Sequence, residues 1–294
     1  MSAVTLYGGN HQPDPRLIAG LAPTDRPAAS GAPGRVHAFF GAKGGVGTST
    51  LAINTAISLH IDQGKSVVLV DANLNFGDHR SFLDLGSDEP SIVDAVAAAG
   101  IDQQVVRQVI VGHKSGVDLV LAPSTPEGAE YVKSATHDLL QVCMQLRAMY
   151  DYVVVDLDKQ LDDHTLDVIA LADRLFMVMT LDLASIKNVR LLLDTMSDIG
   201  VPDERVQLVL NRSNASTGIS ARSAERAIKR PIAHQVVNDY RTALTSLNSR
   251  EPFMLTRRDS ALGKAVRAFA AAIGEPKTAA AAPLPARKFA PAFG

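Results

Sequence analysis

Apolar residues in this chain fall into short continuous runs separated by stretches of helical spacing, and the two alternate from about residue 35 into the 270s. The runs are 35–41, 66–71 (SVVLVD), 117–122 (VDLVLA), 151–156 (DYVVVD), 174–180 (RLFMVMT) and 205–211 (RVQLVLN), with a seventh at 231–237. A strand wet on one face alternates apolar and polar residues. Continuous runs instead predict strands covered on both faces, with the helical stretches as the cover. The predicted fold class is α/β and P-loop NTPase-like: a mainly parallel seven-stranded sheet with helices on both faces and ligands at the carboxyl ends of its strands. Residues 1–33 and 275–294 are rich in Pro, Ala and Gly without a sustained period, so they read as flexible arms around one folded unit, 34–274.

The first strand-to-helix junction carries the chemistry. GAKGGVGTST, Gly41 to Thr50, lies between Val36, Ala38, Phe39 and Phe40 on one side and Leu51, Ile53, Ala56 and Ile57 on the other. A loop of this kind aims successive backbone N–H groups and a helix N-terminus at one point, which suits a polyphosphate. The expected cradle is Gly41, Ala42, Lys43, Gly44, Gly45, Val46, Gly47, Thr48, Ser49 and Thr50, and the expected ligand a nucleoside triphosphate. Set against G-x-x-x-x-G-K-[ST], the framing glycines Gly41 and Gly47 stand one residue further apart and Ser49 supplies the hydroxyl for Mg²⁺, but Thr48 stands where the phosphate-binding lysine belongs. That substitution removes a charge-assisted contact of about 1.5–3 kcal/mol, roughly tenfold to a hundredfold in affinity. Another lysine, Lys43, lies earlier in the loop.

Asp71 ends the second run and Asp156 the fourth. A carboxylate at a strand end beside a phosphate loop holds Mg²⁺ or its waters. Either aspartate alone also suits a helix cap or turn.

Composition narrows the setting. The 46% hydrophobic content supports a sizeable core, no apolar run approaches the length of a membrane span, and the N-terminus lacks an apolar signal core, so the expected place is the cytoplasm. Phe289 and Phe293 are separated by Pro291, against an amphipathic membrane helix. The single cysteine, Cys143, shares helical spacing with Leu139, Leu140 and Leu146 and reads as a core residue. Asp162, Asp163, His164 and Asp167 form a tempting metal cluster, but LDDHTLDVIALAD reads more simply as a loop and a capped helix start. Net charge is −2, yet residues 1–204 carry 14 Lys and Arg against 26 Asp and Glu, and residues 205–270 carry 12 against 4. The basic half, with Arg222, Arg226, Lys229, Arg230, Arg241, Arg257, Arg258, Lys264 and Arg267, admits nucleic acid, an anionic membrane or an acidic protein as partner. Arginines on solvated helix faces give the same count.

Four further segments make a resemblance specific: DANLNFGDH (Asp71 to His79), TLDLASIKNVRLLLD with Ser185, Asn188, Arg190 and Leu192, VLNR (Val209 to Arg212) and VNDYR (Val237 to Arg241). With KGGVGTST they resemble the ParA/MinD superfamily of deviant Walker A ATPases, most closely its CpaE/TadZ pilus-assembly branch, over roughly 35–273. The resemblance implies ATP and Mg²⁺ as cofactors, with Ser49, Asp71 and Asp156 around the metal. It implies that Lys43 reaches across a homodimer to the partner's phosphates, and that Asn211, Arg212, Asn238 and Asp239 frame the adenine. Where the family's D-x-D has its second aspartate, assigned to positioning the attacking water, this chain has Asn73. An amide orients water but does not accept its proton, so slow or absent hydrolysis is expected. The expected catalytic set is thus Lys43, Asp71 and Asn73. Many relatives in the pilus branch carry a receiver-like domain before the ATPase; here only a short arm precedes it.

The function implied is an ATP-dependent dimeric switch that localises or assembles a type IV (Flp/Tad-like) pilus or related secretion machine at a cell pole. The implied partners are a second copy and pilus or secretion components, with no stable membrane insertion. The alternatives are a non-hydrolysing ATP-bound scaffold and a ParA-like partition ATPase that binds DNA non-specifically.

Overall fold

The structure, a computed structural model, describes residues 33–274 apart from residue 136. The expected arms, 1–33 and 275–294, lie outside the described residues but for Pro33. One sheet of eight strands runs through the molecule: β1 Arg35–Gly41, β2 Val67–Ala72, β3 Ile110–Gly112, β4 Asp118–Val120, β5 Tyr152–Leu157, β6 Arg174–Met179, β7 Val206–Leu210 and β8 His234–Gln235. Their order is β3-β4-β2-β5-β1-β6-β7-β8, parallel throughout except for β3 against β4. The α/β class expected from the runs is the one observed, with eight strands where the pattern predicted seven. The extra strand, β3, has three residues at the sheet edge, too few to register as an apolar run. At the other edge the run 231–237 yields only the two-residue β8.

Twelve α-helices connect and cover the strands: α1 Thr48–Gln63, α2 His79–Phe82, α3 Ile92–Val96, α4 Gln103–Gln108, α5 Pro126–Ser134, α6 Asp138–Met149, α7 Asp163–Leu171, α8 Leu183–Asp198, α9 Ala221–Ile228, α10 Tyr240–Ser249, α11 Phe253–Thr256 and α12 Ala261–Gly274, counted among the described residues. Side chains alternate across a strand. Val36, Ala38 and Phe40 of β1 therefore join a core with α6, α7 and α8, while Phe39 joins a second core with α1 and α12. Both faces are dry, which is why the runs are continuous. Helix α1 is buried without interruption from Leu51 to Leu59, because the sheet lies on one side and α11 and α12 on the other. Its Asn54 survives there by donating to the Thr50 carbonyl at 2.8 Å and accepting from the Met254 N–H at 3.0 Å.

From β1 the chain moves outward to β2 and the edge strand β3, turns back through β4 to β5 beside β1, and then builds β6, β7 and β8 on the opposite side. The strand order reverses at β1, and the crevice at such a switch point is where open α/β sheets bind ligands. The glycine loop leaves β1 at that place.

The charge asymmetry along the chain is partly cancelled in space. Arg258 and Arg267 both pair with Asp62, Arg250 pairs with Asp84, and Arg230 pairs with Asp203. Asp162 caps α7 by accepting the Thr165 N–H at 2.9 Å, and His164 contacts the Lys133 carbonyl at 3.1 Å, which accounts for two members of the acidic cluster in local structure. Cys143 is fully buried in the core beneath α6. No helix among the described residues is long and apolar enough to cross a membrane.

Candidate nucleotide site

The loop is held from its carbonyl side. At the end of β1 the Ala42 N–H donates to the Val178 carbonyl of β6 at 2.9 Å. Beyond it, Asn188 of α8 donates to the Ala42 carbonyl at 2.9 Å, Asn211 to the Val46 carbonyl at 2.7 Å and Arg212 to the Gly45 carbonyl at 3.1 Å. Helix α1 then starts at Gly47, which has φ 92° and makes no side-chain cap bond. A Cβ at Gly47 would stand 2.5 Å from the Asn211 amide nitrogen, so both the backbone conformation and the close approach require glycine. An uncapped helix N-terminus behind a clamped glycine loop presents its first N–H groups to an anion.

An open cleft of about 350 Å³ lies in front of the loop, with Lys43, Thr48, Ser49, Asn73, Asp78 and Asp158 in its wall. Lys43 is 38% exposed, and its Nζ lies 3.2 Å from Asp182, the cap of α8. Burial acts to push the Asp182 carboxyl up, but the Ser185 N–H, the Thr180 hydroxyl and the Lys43 ammonium together hold it below the usual carboxylate range. A smaller cavity of about 100 Å³ adjoins Gly47 and Thr50 and is bounded by Asn211, Arg212, Asn238 and Asp239 with apolar Leu244 and Leu247. The four polar residues that the resemblance assigned to a base are thus brought together beside the loop. Three of them are already engaged: Asn211 and Arg212 clamp the loop, and Asp239 caps α10 by accepting the N–H and hydroxyl of Thr242 at 3.0 and 2.7 Å.

Asp71 and Asp156 stand side by side in register on β2 and β5 and are each 2% exposed. They do not line the cleft. His79, 1% exposed at the start of α2, sits between them: its Nε2 is 3.0 Å from Asp156, its Nδ1 is 4.0 Å from Asp71, and its N–H donates to Asp71 at 3.2 Å. Burial pushes the Asp71 carboxyl up to about 6, with His79 opposing and Asp156 adding to the rise. Burial alone acts to lower His79, but Asp71 and Asp156 outweigh it and raise its pKa above the ordinary histidine value. Asp156 Oδ1 and His79 Nδ1 are buried with no hydrogen-bond partner among the described residues. The sequence reading missed His79, Asp78 and Asp158. The only signal for the first was its place directly after an F-G-D turn, where a surface polar residue is the ordinary expectation. Asn73 does line the cleft, but its side chain is engaged with Phe76, donating to the carbonyl at 2.9 Å and accepting from the N–H at 3.3 Å.

A parallel sheet with a clamped glycine loop at its switch point defines a P-loop nucleotide-binding fold. A family model described as an AAA domain (AAA_31) matches residues 34–207. The chain is 28% identical to an uncharacterized ATP-binding protein of Methanocaldococcus jannaschii over 67% of its own length and 72% of the relative's. It is 25% identical to the septum site-determining protein MinD of Thermotoga maritima, covering 61% of this chain and 64% of that relative. A crystal structure of a ParA family ATPase from Chlorobium tepidum superposes with a TM-score of 0.73 at 28% identity, covering 81% of this chain and 98% of that one. The chain belongs to this AAA_31 family of ParA/MinD-type P-loop ATPases.

Proposed function

We propose that this protein is an ATP-binding switch that pairs with a second copy across bound nucleotide and helps to localise or assemble a type IV (Flp/Tad-like) pilus or related secretion machine, working in the cytoplasm at a cell pole. The observation that carries the reading is the position of the loop's only lysine. With Thr48 in the usual place, the one loop cation, Lys43, stands half-exposed on the cleft rim, held by a surface ion pair to Asp182. Such pairs contribute about 0–1 kcal/mol and exchange readily, so Lys43 is free to move to phosphates brought by another subunit. Dimerisation would then report the γ-phosphate.

The residues present fit Mg·ATP. Gly47 gives the loop the positive φ and the close approach to Asn211 that only glycine allows, the start of α1 lacks a side-chain cap bond, and Ser49 lines the cleft with its hydroxyl. Mg²⁺ would neutralise phosphate charge, with Ser49 as its protein hydroxyl and Asp71 and Asp156 behind as holders of its waters. The unpartnered Asp156 Oδ1 supports that role. Asn211, Arg212, Asn238 and Asp239 supply a polar rim for the adenine. Hydrolysis is expected to be slow, because Asn73 is an amide already bound to the Phe76 backbone.

Sedimentation of the full chain with ADP and with a non-hydrolysable ATP analogue tests this. A dimer formed only with the analogue and lost in Lys43→Ala is the expected result; a monomer in both nucleotides contradicts it. The basic C-terminal half favours a second reading as a DNA-binding partition ATPase. Its prediction is ATP-enhanced retention on DNA that weakens steeply with salt, whereas the pilus reading predicts none.

A further inference from the structure

No position of the family's D-x-D pattern puts a free carboxylate on the cleft wall. Position 73 is an amide engaged with the Phe76 backbone, and Asp71 and Asp156 are locked behind the loop by the His79 ring. Asp78 is different. It is exposed, it lines the cleft with Thr48 and Ser49, and although it precedes α2 its side chain makes no cap bond and accepts no hydrogen bond from any described residue. Asp158 also lines the cleft, but one of its oxygens is taken by the N–H of Lys159 at 2.6 Å.

The backbone fixes where Asp78 points. On its C-terminal side His79 is anchored through its N–H to Asp71 and through its ring to Asp156, at 3.2 and 3.0 Å. On its N-terminal side Gly77 passes so close to the strand ends that a Cβ there would lie 2.6 Å from Asp71 Oδ2 and 2.3 Å from the Ala122 methyl. The inner side of the chain is therefore filled at Gly77 and pinned at His79, which leaves the Asp78 carboxylate to the cleft.

We propose that Asp78 is the catalytic carboxylate of the ATPase, orienting the attacking water and accepting its proton in place of the aspartate absent at position 73. This inference rests on the reading of the cleft as an ATP site. In the step, the water oxygen bonds to the γ-phosphorus as the bond from that phosphorus to the β,γ-bridging oxygen breaks. ADP leaves with the electron pair, and the water proton passes to Asp78 and then to the product phosphate. His79 serves as a positioning residue, holding Asp78 at the cleft edge.

The test compares wild type, Asp78→Asn, Asp78→Glu and Lys43→Ala in two measurements, binding of a fluorescent ATP analogue and steady-state turnover with Mg²⁺. In Asp78→Asn, kcat should fall about a hundredfold, while KM and analogue affinity stay within about twofold. Asp78→Glu should recover part of kcat. Unchanged kcat in Asp78→Asn, or parallel loss of binding and turnover, overturns the inference. Wild type that binds the analogue but turns over no faster than Lys43→Ala also overturns it, and leaves the nucleotide site standing. Wild type that binds no analogue overturns the reading of the cleft itself.

Discussion

His37 lies fully buried in β1 with its ring edge-on to Tyr152 and Phe176 at centroid distances of 5.1 and 5.4 Å, and neither ring nitrogen meets a partner among the described residues. Burial, aided by Arg174 and Arg35, lowers its pKa from 6.5 to about 3. The unfolded chain takes up a proton at this residue below pH 6.5, while the native state does so only near 3. His37 therefore withdraws stability as pH falls through that window, by about 1.4 kcal/mol per pH unit. His37→Phe removes this term, so urea melts should show the variant gaining on wild type by about 2 kcal/mol between pH 6.5 and pH 5; a constant difference would contradict the burial argument. At the loop, Thr48→Lys restores a charge-assisted phosphate contact and should tighten ATP binding about tenfold to a hundredfold, read by titration with a fluorescent analogue. Equal affinity would mean that phosphates do not sit against position 48.

The loop owes its shape to neighbouring elements. Asn211, at the end of β7 and 8% exposed, satisfies the Val46 carbonyl and accepts the Arg212 N–H. Asn211→Ala leaves both groups without that partner, at a cost of about 1–3 kcal/mol. Hydrogen exchange of the Gly44–Gly47 amides should quicken and ATP affinity drop several-fold, while protection of β1 and β6 holds; unchanged exchange in the loop would refute the clamp. Strands β1, β2, β5 and β6 were legible because burial on both faces writes itself as continuous apolar runs, and the loop was legible because only glycines permit it. Strand β3 was not, because three residues at a sheet edge carry no period. The His79 lock was not, because a histidine buried between two carboxylates obeys no spacing rule; it depends on β2 and β5 lying side by side, a long-range fact. Asp182 caps α8, and its ion pair with Lys43 likewise depends on the fold.

Across the whole molecule, both cores meet at the central strands, so the fold should open as a unit. Cys143 reports on this. It is fully buried, and burial pushes its thiol up to about 12. A thiol reagent should react with the native protein only through opening of the fold, and saturating Mg·ATP should slow that reaction in proportion to the stabilisation that binding confers. Rapid labelling without denaturant would show that the core beneath α6 opens locally. A P-loop with its lysine at position 43 should still work an ATP cycle. Steady-state Mg·ATP turnover by the purified full chain at high concentration, set against Lys43→Ala, tests it most directly. Slow turnover that disappears in Lys43→Ala is the predicted result; ATP bound with turnover no greater than that of Lys43→Ala would contradict a hydrolytic switch and leave a nucleotide-stabilised scaffold.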